Sequence, residues 1–477
     1  MALKRIAFGA ATLSAARVFQ LASSFIAVPF LARMLTPTDF GLVAMAMSVV
    51  LFFTYVGDAG LGRSLVRVDA TDRDAWSSAF WAIVLMTAGL GLIVLLLAWP
   101  AAAFFNEPRL VPIMATLALA PVIMGWVDIP AASLLQKEKF HWLAAAEFSA
   151  ALAGIVVALM VALEGGGAWA LVWQHLTQRI VKGIVVHFAS GFRPRFVLKI
   201  DKLAEHGRFA ADTIGWSVMM FISRQADTLI VGKFLGAATL GLYNVAMRVM
   251  QLPVSIFGGS LNSAIYPRLV KFKDNTPALR ELVLVATAAQ AMFVFPPVAA
   301  VAAASDAFFT LLLSDRWTGA GEIFTLLAGA AAIQTVIGIS HSVLQAVGRT
   351  GARLRMTVEF AILWAIAAVI LAQFGVQAVA LGLTVVTLLY LPRQLQLYLA
   401  PMDCSMMDFV RVLAGPAAVA ALVFVTHRFI LPYQEIDAWP EIGIAILETL
   451  VGYALLLWFG RRVITAKVKG MRAIFAN

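Results

Sequence analysis

The chain is predicted to be an all-α polytopic membrane protein of 14 transmembrane helices, arranged as two parallel six-helix bundles plus a C-terminal helical pair. Three observations predict this. Of 477 residues, 62% are hydrophobic and only 13% charged, too little polar surface to coat a water-soluble protein of this length. Apolar runs of roughly 18 to 24 residues recur along the whole chain, each long enough to cross a hydrocarbon core of about 30 Å as a helix. The Lys and Arg residues between the runs alternate in density, as loops on the two sides of a bilayer do. Barrel strands would be shorter and alternating, and unsatisfied backbone groups in lipid leave continuous apolar runs no option but the helix.

Taken in order with the N-terminus inside, Lys4 and Arg5 precede span 1 (12–34). This start mimics a secretory signal, but Arg17 and Gln20 interrupt it and the run continues to Leu35, so it reads as a retained first helix. Span 2 (40–57) returns to an inner loop with Arg63, Arg67 and Arg73, and spans 3 (78–99) and 4 (110–128) lead to Lys137 and Lys139. Spans 5 (142–163) and 6 (168–188) end at a basic linker with Arg193, Arg195, Lys199, Lys202 and Arg208. Spans 7 (209–232) and 8 (240–262) lead to Arg268, Lys271, Lys273 and Arg280, and spans 9 (283–304) and 10 (322–345) to Arg349, Arg353 and Arg355. Spans 11 (355–374) and 12 (376–399) lead to Arg393 and Arg411. Spans 13 (412–430) and 14 (441–460) precede Arg461, Arg462, Lys467, Lys469 and Arg472. Inner segments thus hold 26 basic residues, whereas outer loops hold 5: Arg33, Arg109, Lys233, Arg316 and Arg428. A missed or invented helix would invert everything beyond it. The expected divisions are a six-helix bundle over 1–190, a cytoplasmic linker over 191–208, a second bundle over 209–400, and the last pair with its basic tail over 401–477. Both termini are expected in the cytoplasm.

The formal net charge of +10 is explained by the same loops, which face an anionic leaflet, so nucleic acid is not expected as a partner. The single cysteine, Cys404, excludes an internal disulfide and a cysteine-built metal site. No Walker loop is present, so ATP hydrolysis is not expected, and no cofactor is.

An internal repeat underlies the two bundles. Arg33-Met34-Leu35-Thr36-Pro37-Thr38-Asp39-Phe40-Gly41-Leu42 is followed 200 positions later by Lys233-Phe234-Leu235-Gly236-Ala237-Ala238-Thr239-Leu240-Gly241-Leu242. Leu135-Gln136 and Glu147-Phe148 similarly match Leu344-Gln345 and Glu359-Phe360. Both halves begin inside, so the repeat is parallel, with its axis along the membrane normal and a substrate path between the halves.

Charges within spans are costly unless they face a bundle interior or water, and so mark function by default. Arg17 belongs to a stripe of Ser14, Arg17, Gln20 and Ser24; span 7 carries Thr213, Ser217, Arg224 and Thr228; span 8 carries Asn244, Arg248, Gln251 and Ser255. Convergence of these three stripes on the axis would make Arg17, Gln20, Ser24, Arg224, Asn244, Arg248 and Gln251 the lining of a cationic cavity. The competing reading pairs Arg224 with Asp227 one turn away. Arg179 and Lys182 lie near the inner end of span 6, where long side chains snorkel to the interface. Asp212 and Asp227 are candidates for coupling to an ion gradient, whereas Glu147 and Glu359, equivalent in the repeat, read as structural partners of loop arginines. His175, His187 and His341 show no metal spacing and are expected to make helix contacts. Pro29, Pro121, Pro253, Pro296-Pro297 and Pro392 allow kinks.

An ordered set of motifs spans both halves: Pro29-x-Leu31-x-Arg33-x-Leu35-x-Pro37-x-x-Phe40-Gly41, Asp58-x-Gly60-Leu61, Asp227-x-x-x-Val231-Gly232-x-x-Leu235-Gly236 with Leu240-Gly241-x-Tyr243-x-x-Ala246, and Tyr266-Pro267-Arg268-Leu269. The set resembles the polysaccharide transporter family of the multidrug/oligosaccharidyl-lipid/polysaccharide exporter superfamily. The resemblance implies a flippase carrying a lipid-linked oligosaccharide, normally on undecaprenyl pyrophosphate, across a bacterial inner membrane. It implies a cationic central cavity for the anionic headgroup, to which Arg17, Arg224 and Arg248 correspond, and a lipid-facing groove formed with spans 13 and 14. Its implied partners are the lipid-linked oligosaccharide, membrane lipids, and the polymerase and glycosyltransferases of the same pathway. Arginine suits such a cavity because it binds phosphate oxygens bidentately and stays charged in poor solvent. Among alternatives, a multidrug exporter would stop at twelve helices and use central carboxylates, and a peptidoglycan-precursor flippase is closer. An embedded glycosyltransferase or polymerase would want a catalytic carboxylate or long outer loops.

Overall fold

The computed structural model describes residues 27–57, 72–199, 201–255, 260–430 and 437–475, with side chains described over fewer residues near 201–224, 256–263 and 457–475. Among the described residues there are helices and no strand. Eleven of the helices are long and apolar enough to cross a membrane. This is a multi-pass helical membrane protein.

The chain separates into two compact units, Met1–Gly241 and Leu242–Asn477. In the first, a helical stretch at 27–34 leads through the Thr36 turn into α1 (Pro37–Gly57), where Thr36 Oγ1 donates to Asp39 Oδ2 at 2.7 Å. Then follow α2 (Arg73–Leu96), α3 (Ala98–Phe105), α4 (Leu110–Leu117), α5 (Leu119–Gln136), α6 (Phe140–Leu163) and α7 (Ala168–Ser190). Asp72 caps α2 by accepting the Ala75 N–H at 3.0 Å. Apolar side chains close α2 on α5, with Trp76, Phe80 and Ile83 against Ile129 and Ala132. Small residues bring helices together: a Cβ at Gly125 would overlap Thr87, and one at Gly154 would overlap Gln178.

After Gly191 the basic linker lies extended along the start of α2. The Arg195 and Lys199 N–H groups donate to the Ser77 and Ser78 hydroxyls at 3.0 and 2.9 Å, and Trp81 Nε1 donates to the Arg195 carbonyl at 2.8 Å. Lys199 Nζ reaches Asp74 at 2.7 Å.

Sequence spacing anticipates a loop between spans 7 and 8. The structure reduces it to a sharp break at Gly236: α8 (Asp201–Pro253) is two helices meeting there at a kink, and the φ of 81° and ψ of 176° suit a residue without a side chain. The bend falls at the repeat motif. Here the repeat becomes visible as packing within the first unit: a Cβ at Gly41 would overlap the Ala237 carbonyl, and one at Gly241 would overlap the Pro37 carbonyl. Both glycines, and both the residues they meet, are 200 positions apart, so the two motif copies clasp each other reciprocally.

The second unit contains α9 (Ser260–Lys271), α10 (Thr276–Ala303), α11 (Ser305–Leu312), α12 (Thr318–Ala346), α13 (Thr350–Leu371), α14 (Val376–Leu399), α15 (Met406–Val425) and α16 (Ala438–Phe475). The pair α15 and α16 packs on α10 through Ala300, Ala304, Val419, Val423 and Ala445. Polar pins add register: Tyr453 donates to the Met292 carbonyl at 2.7 Å, Arg280 pairs with Asp408, and Thr384 donates to the Leu326 carbonyl at 2.6 Å.

The eleven apolar spans correspond to expected spans 2 to 5, to the end of span 7 with most of span 8 (Gln225–Pro253), and to spans 9 to 14. Most of span 1 lies outside the described residues. Span 6 is present as α7, but Gln174, His175, Gln178, Arg179, Lys182 and His187 make it too polar to rank with the others.

Candidate functional site

The described part of the expected cationic lining is on α8. Asn244, Arg248 and Gln251 follow at helical spacing on one face, and Arg248 Nε donates to Asn244 Oδ1 at 3.0 Å. Arg248 and Gln251 are exposed and Asn244 half-buried, while Val245, Ala246, Val249 and Met250 are buried among neighbouring helices. Among the described residues no carboxylate pairs with Arg248, so its guanidinium keeps donors for an anion. Arg17, Gln20 and Ser24 lie outside the described residues, as do the side chains of Arg224 and Asp212. Asp227 is buried at 7% exposure and its Oδ1 accepts the Thr228 N–H at 2.8 Å.

A second polar locus, which sequence reasoning treats as separate lone residues, is assembled inside the first unit. A cavity of about 270 Å³ is lined by Asp128 of α5, Glu147 of α6, and His175, Gln178, Arg179 and Lys182 of α7. Lys182 Nζ meets Glu147 Oε1 at 2.6 Å, so this lysine is held inside the helix packing by a carboxylate. Glu147 is a structural partner as expected, but of a neighbouring span and not of a loop arginine. Its repeat equivalent pairs as expected with arginines counted to the inner loops: Glu359 meets Arg355 at 2.6 Å and Arg393 at 3.5 Å, and accepts from the Tyr390 hydroxyl at 2.8 Å. Lys182 and Arg393 sit on the corresponding helices of the two halves, so the acid-to-base link between the last two helices is part of the repeat. The signal available in sequence was the spacing of His175, Gln178, Arg179 and Lys182 on one face of α7.

Comparison with known proteins fixes the kinship. Residues 30–322, more than half of the chain, match the family described as polysaccharide biosynthesis protein. The chain belongs to this family. It is 25% identical over 325 residues to the succinoglycan biosynthesis transport protein ExoT of Rhizobium meliloti (strain 1021), covering 68% of this chain and 66% of that protein, just under two thirds of the relative's length. It is 24% identical over 389 residues to the lipopolysaccharide biosynthesis protein WzxC of Escherichia coli (strain K12), covering 80% of this chain and 78% of that protein. Among solved structures, the lipid II flippase MurJ in an inward closed conformation superposes with a TM-score of 0.75 at 14% identity, over 95% of this chain and 99% of that one. That likeness shows a shared fold. The family read from the motifs is therefore the family of the chain, and the relatives named here are a biosynthesis transport protein and a biosynthesis protein.

Proposed function

We propose that this chain is a flippase that moves a lipid-linked oligosaccharide, carried on undecaprenyl pyrophosphate, from the inner to the outer leaflet of a bacterial inner membrane by alternating access, for cell-surface or exopolysaccharide synthesis. The observation that carries the reading is Arg248, an exposed guanidinium inside a membrane-crossing helix with Asn244 as its neighbour and no carboxylate among the described residues to neutralise it. An unneutralised cation at that depth is costly in lipid, and a pyrophosphate is the kind of ligand that removes the cost. Kinship with a succinoglycan biosynthesis transport protein and a lipopolysaccharide biosynthesis protein, and the fold shared with a lipid II flippase, support the same reading.

In this reading Arg248, with Arg224 and Arg17, takes the pyrophosphate, while Asn244, Gln251, Gln20 and Ser24 supply neutral hydrogen bonds to it and to the first sugar. The fourteen-span topology puts both termini in the cytoplasm. Gly41 and Gly241 then lie at the outer ends of their helices. Asp212 and Asp227 remain the coupling candidates. Pathway polymerase and glycosyltransferases are the proposed partners.

Binding tests the headgroup assignment directly. Purified protein is titrated with undecaprenyl pyrophosphate in micelles, wild type against Arg248→Ala and Arg248→Lys. Loss of a charge-assisted bidentate contact weakens binding about tenfold or more in the alanine variant and less in the lysine variant. Equal affinities in all three would remove Arg248 from the site.

A further inference from the structure

Helices α13 and α14 form a hairpin in the second unit that the proposed transport path does not use. Their apolar spans, Thr350–Phe374 and Val376–Met402, are joined by a tight turn at Gly375, whose φ of 100° suits glycine. The two helices pack closely, since a Cβ at Gly382 would overlap the Leu371 side chain. At 1.5 Å per residue, Arg355 and Arg393 each lie about 28 Å along their helices from that turn. Both therefore stand at one level, near the far surface of a hydrocarbon core of about 30 Å.

At that level one carboxylate holds both cations. Arg355 Nε donates to Glu359 Oε1 at 2.6 Å, Arg393 Nε lies 3.5 Å from Oε2, and the buried Tyr390 donates its hydroxyl to Oε2 at 2.8 Å. Glu359 is thereby fixed, while the Arg355 side chain is 61% exposed and that of Arg393 39%. Each guanidinium meets the carboxylate through Nε, so the Nη nitrogens of both keep donors for another acceptor. Arg353, nearby in sequence, turns instead to Gln345 Oε1 at 3.1 Å. Two cations on one anion leave a positive charge in excess. The first half shows that fastening the helices does not require it: Leu143 stands four positions before Glu147, where Arg355 stands before Glu359, and Glu147 is held by Lys182.

Apolar surface continues from the arginines toward the turn. Ile362, Ile366 and Ile370 are exposed on the face of α13 that carries Arg355 and Glu359, and Leu389, Val385 and Leu381 are exposed on the face of α14 that carries Arg393. A paired cation at one membrane surface with an apolar ridge running from it along each helix has the form of an amphiphile's site.

We propose that Arg355 and Arg393, positioned by Glu359 and Tyr390, bind the phosphodiester of an anionic phospholipid whose chains lie along α13 and α14. A phosphodiester brings one negative charge, which cancels the excess, and two unesterified oxygens, one for each guanidinium. A zwitterionic headgroup brings its own cation and leaves the excess in place. A pyrophosphate carries more negative charge than the cluster can balance, so the carried lipid is the poorer match. In the proposed topology the arginines face the cytoplasmic side and the lipid belongs to the inner leaflet; the binding itself does not depend on that topology.

The test uses the full-length protein in nonionic micelles, titrated with phosphatidylglycerol, phosphatidylcholine or undecaprenyl pyrophosphate, with bound lipid counted by native mass spectrometry. Wild type should bind phosphatidylglycerol about fivefold or more tightly than phosphatidylcholine. Arg355→Leu, which puts the first half's residue at this position, and Arg393→Leu should each lower phosphatidylglycerol affinity about fivefold and leave phosphatidylcholine affinity unchanged. Their affinity for undecaprenyl pyrophosphate should match that of wild type. Unchanged phosphatidylglycerol binding in both variants overturns the proposal. So does a loss of undecaprenyl pyrophosphate binding as large as the loss of phosphatidylglycerol binding, which would assign these arginines to the carried lipid. The wild-type preference needs no variant, so its absence overturns the proposal even where the leucine variants do not fold. None of these readouts involves Arg248 or transport, so their failure is separable from failure of the flippase reading.

Discussion

At the scale of single residues, two features carry most of the argument: a cation without a described acidic neighbour, and a pair of glycines that cannot be anything larger. Arg248 was legible because Asn244, Arg248 and Gln251 repeat at helical spacing within an apolar run, and the structure sets Asn244 and Arg248 in direct contact. Gly41 and Gly241 were legible only as matching letters of a repeat. That each faces the other copy's backbone depends on a contact between residues 200 positions apart, which no local pattern encodes. Replacement of either glycine by valine should destabilise the protein by about 1–3 kcal/mol, since the side chain would overlap a carbonyl that belongs to rigid backbone. Thermal unfolding in micelles measures this, and alanine should do less harm than valine. Cys404 gives a simpler prediction. Burial, opposed more weakly by the Arg280 charge, pushes its thiol up, so labelling by maleimide should be slow at neutral pH and accelerate as the pH is raised into the alkaline range. Rapid labelling at neutral pH would show that the thiol is not held as the structure has it.

Helices were the most legible level, because an apolar run of membrane length has only one stable backbone conformation in lipid. The exceptions have physical causes. α7 is crowded with polar side chains because four of them line a cavity with Asp128 and Glu147, a grouping spread over three helices and therefore invisible to spacing within any one of them. Within α8 the expected loop shrinks to a kink between two helices because one glycine takes up the bend. The pairing of Lys182 with Glu147 makes a measurable claim: either Glu147→Gln or Lys182→Met alone leaves a poorly solvated charge and should cost about 1–3 kcal/mol, while the double variant recovers most of it. A double-mutant cycle on melting temperature detects the coupling, and strictly additive losses would mean the two side chains act separately. Tyr390→Phe should give the milder version in the second unit, by removing one of the contacts on Glu359.

For the molecule as a whole, the match over 30–322 gives the family and the architecture shared with a lipid II flippase gives the fold. The alternation of basic residues anticipated a multi-pass protein of this kind, because insertion reads loop charge directly from sequence. What crosses the membrane is written less plainly, since a glycan is recognised by a few neutral side chains that resemble ordinary helix contacts. The central claim is that cations inside the spans carry an anionic lipid headgroup between leaflets. Its most direct measurement is translocation of an undecaprenyl-pyrophosphate-linked oligosaccharide in reconstituted vesicles, scored by access of an external glycan-cleaving enzyme. Wild-type protein should expose the glycan, and Arg224→Ala and Arg248→Ala should each slow exposure about tenfold or more while inserting normally. Translocation at the wild-type rate in both variants, or none by the wild type, would contradict it.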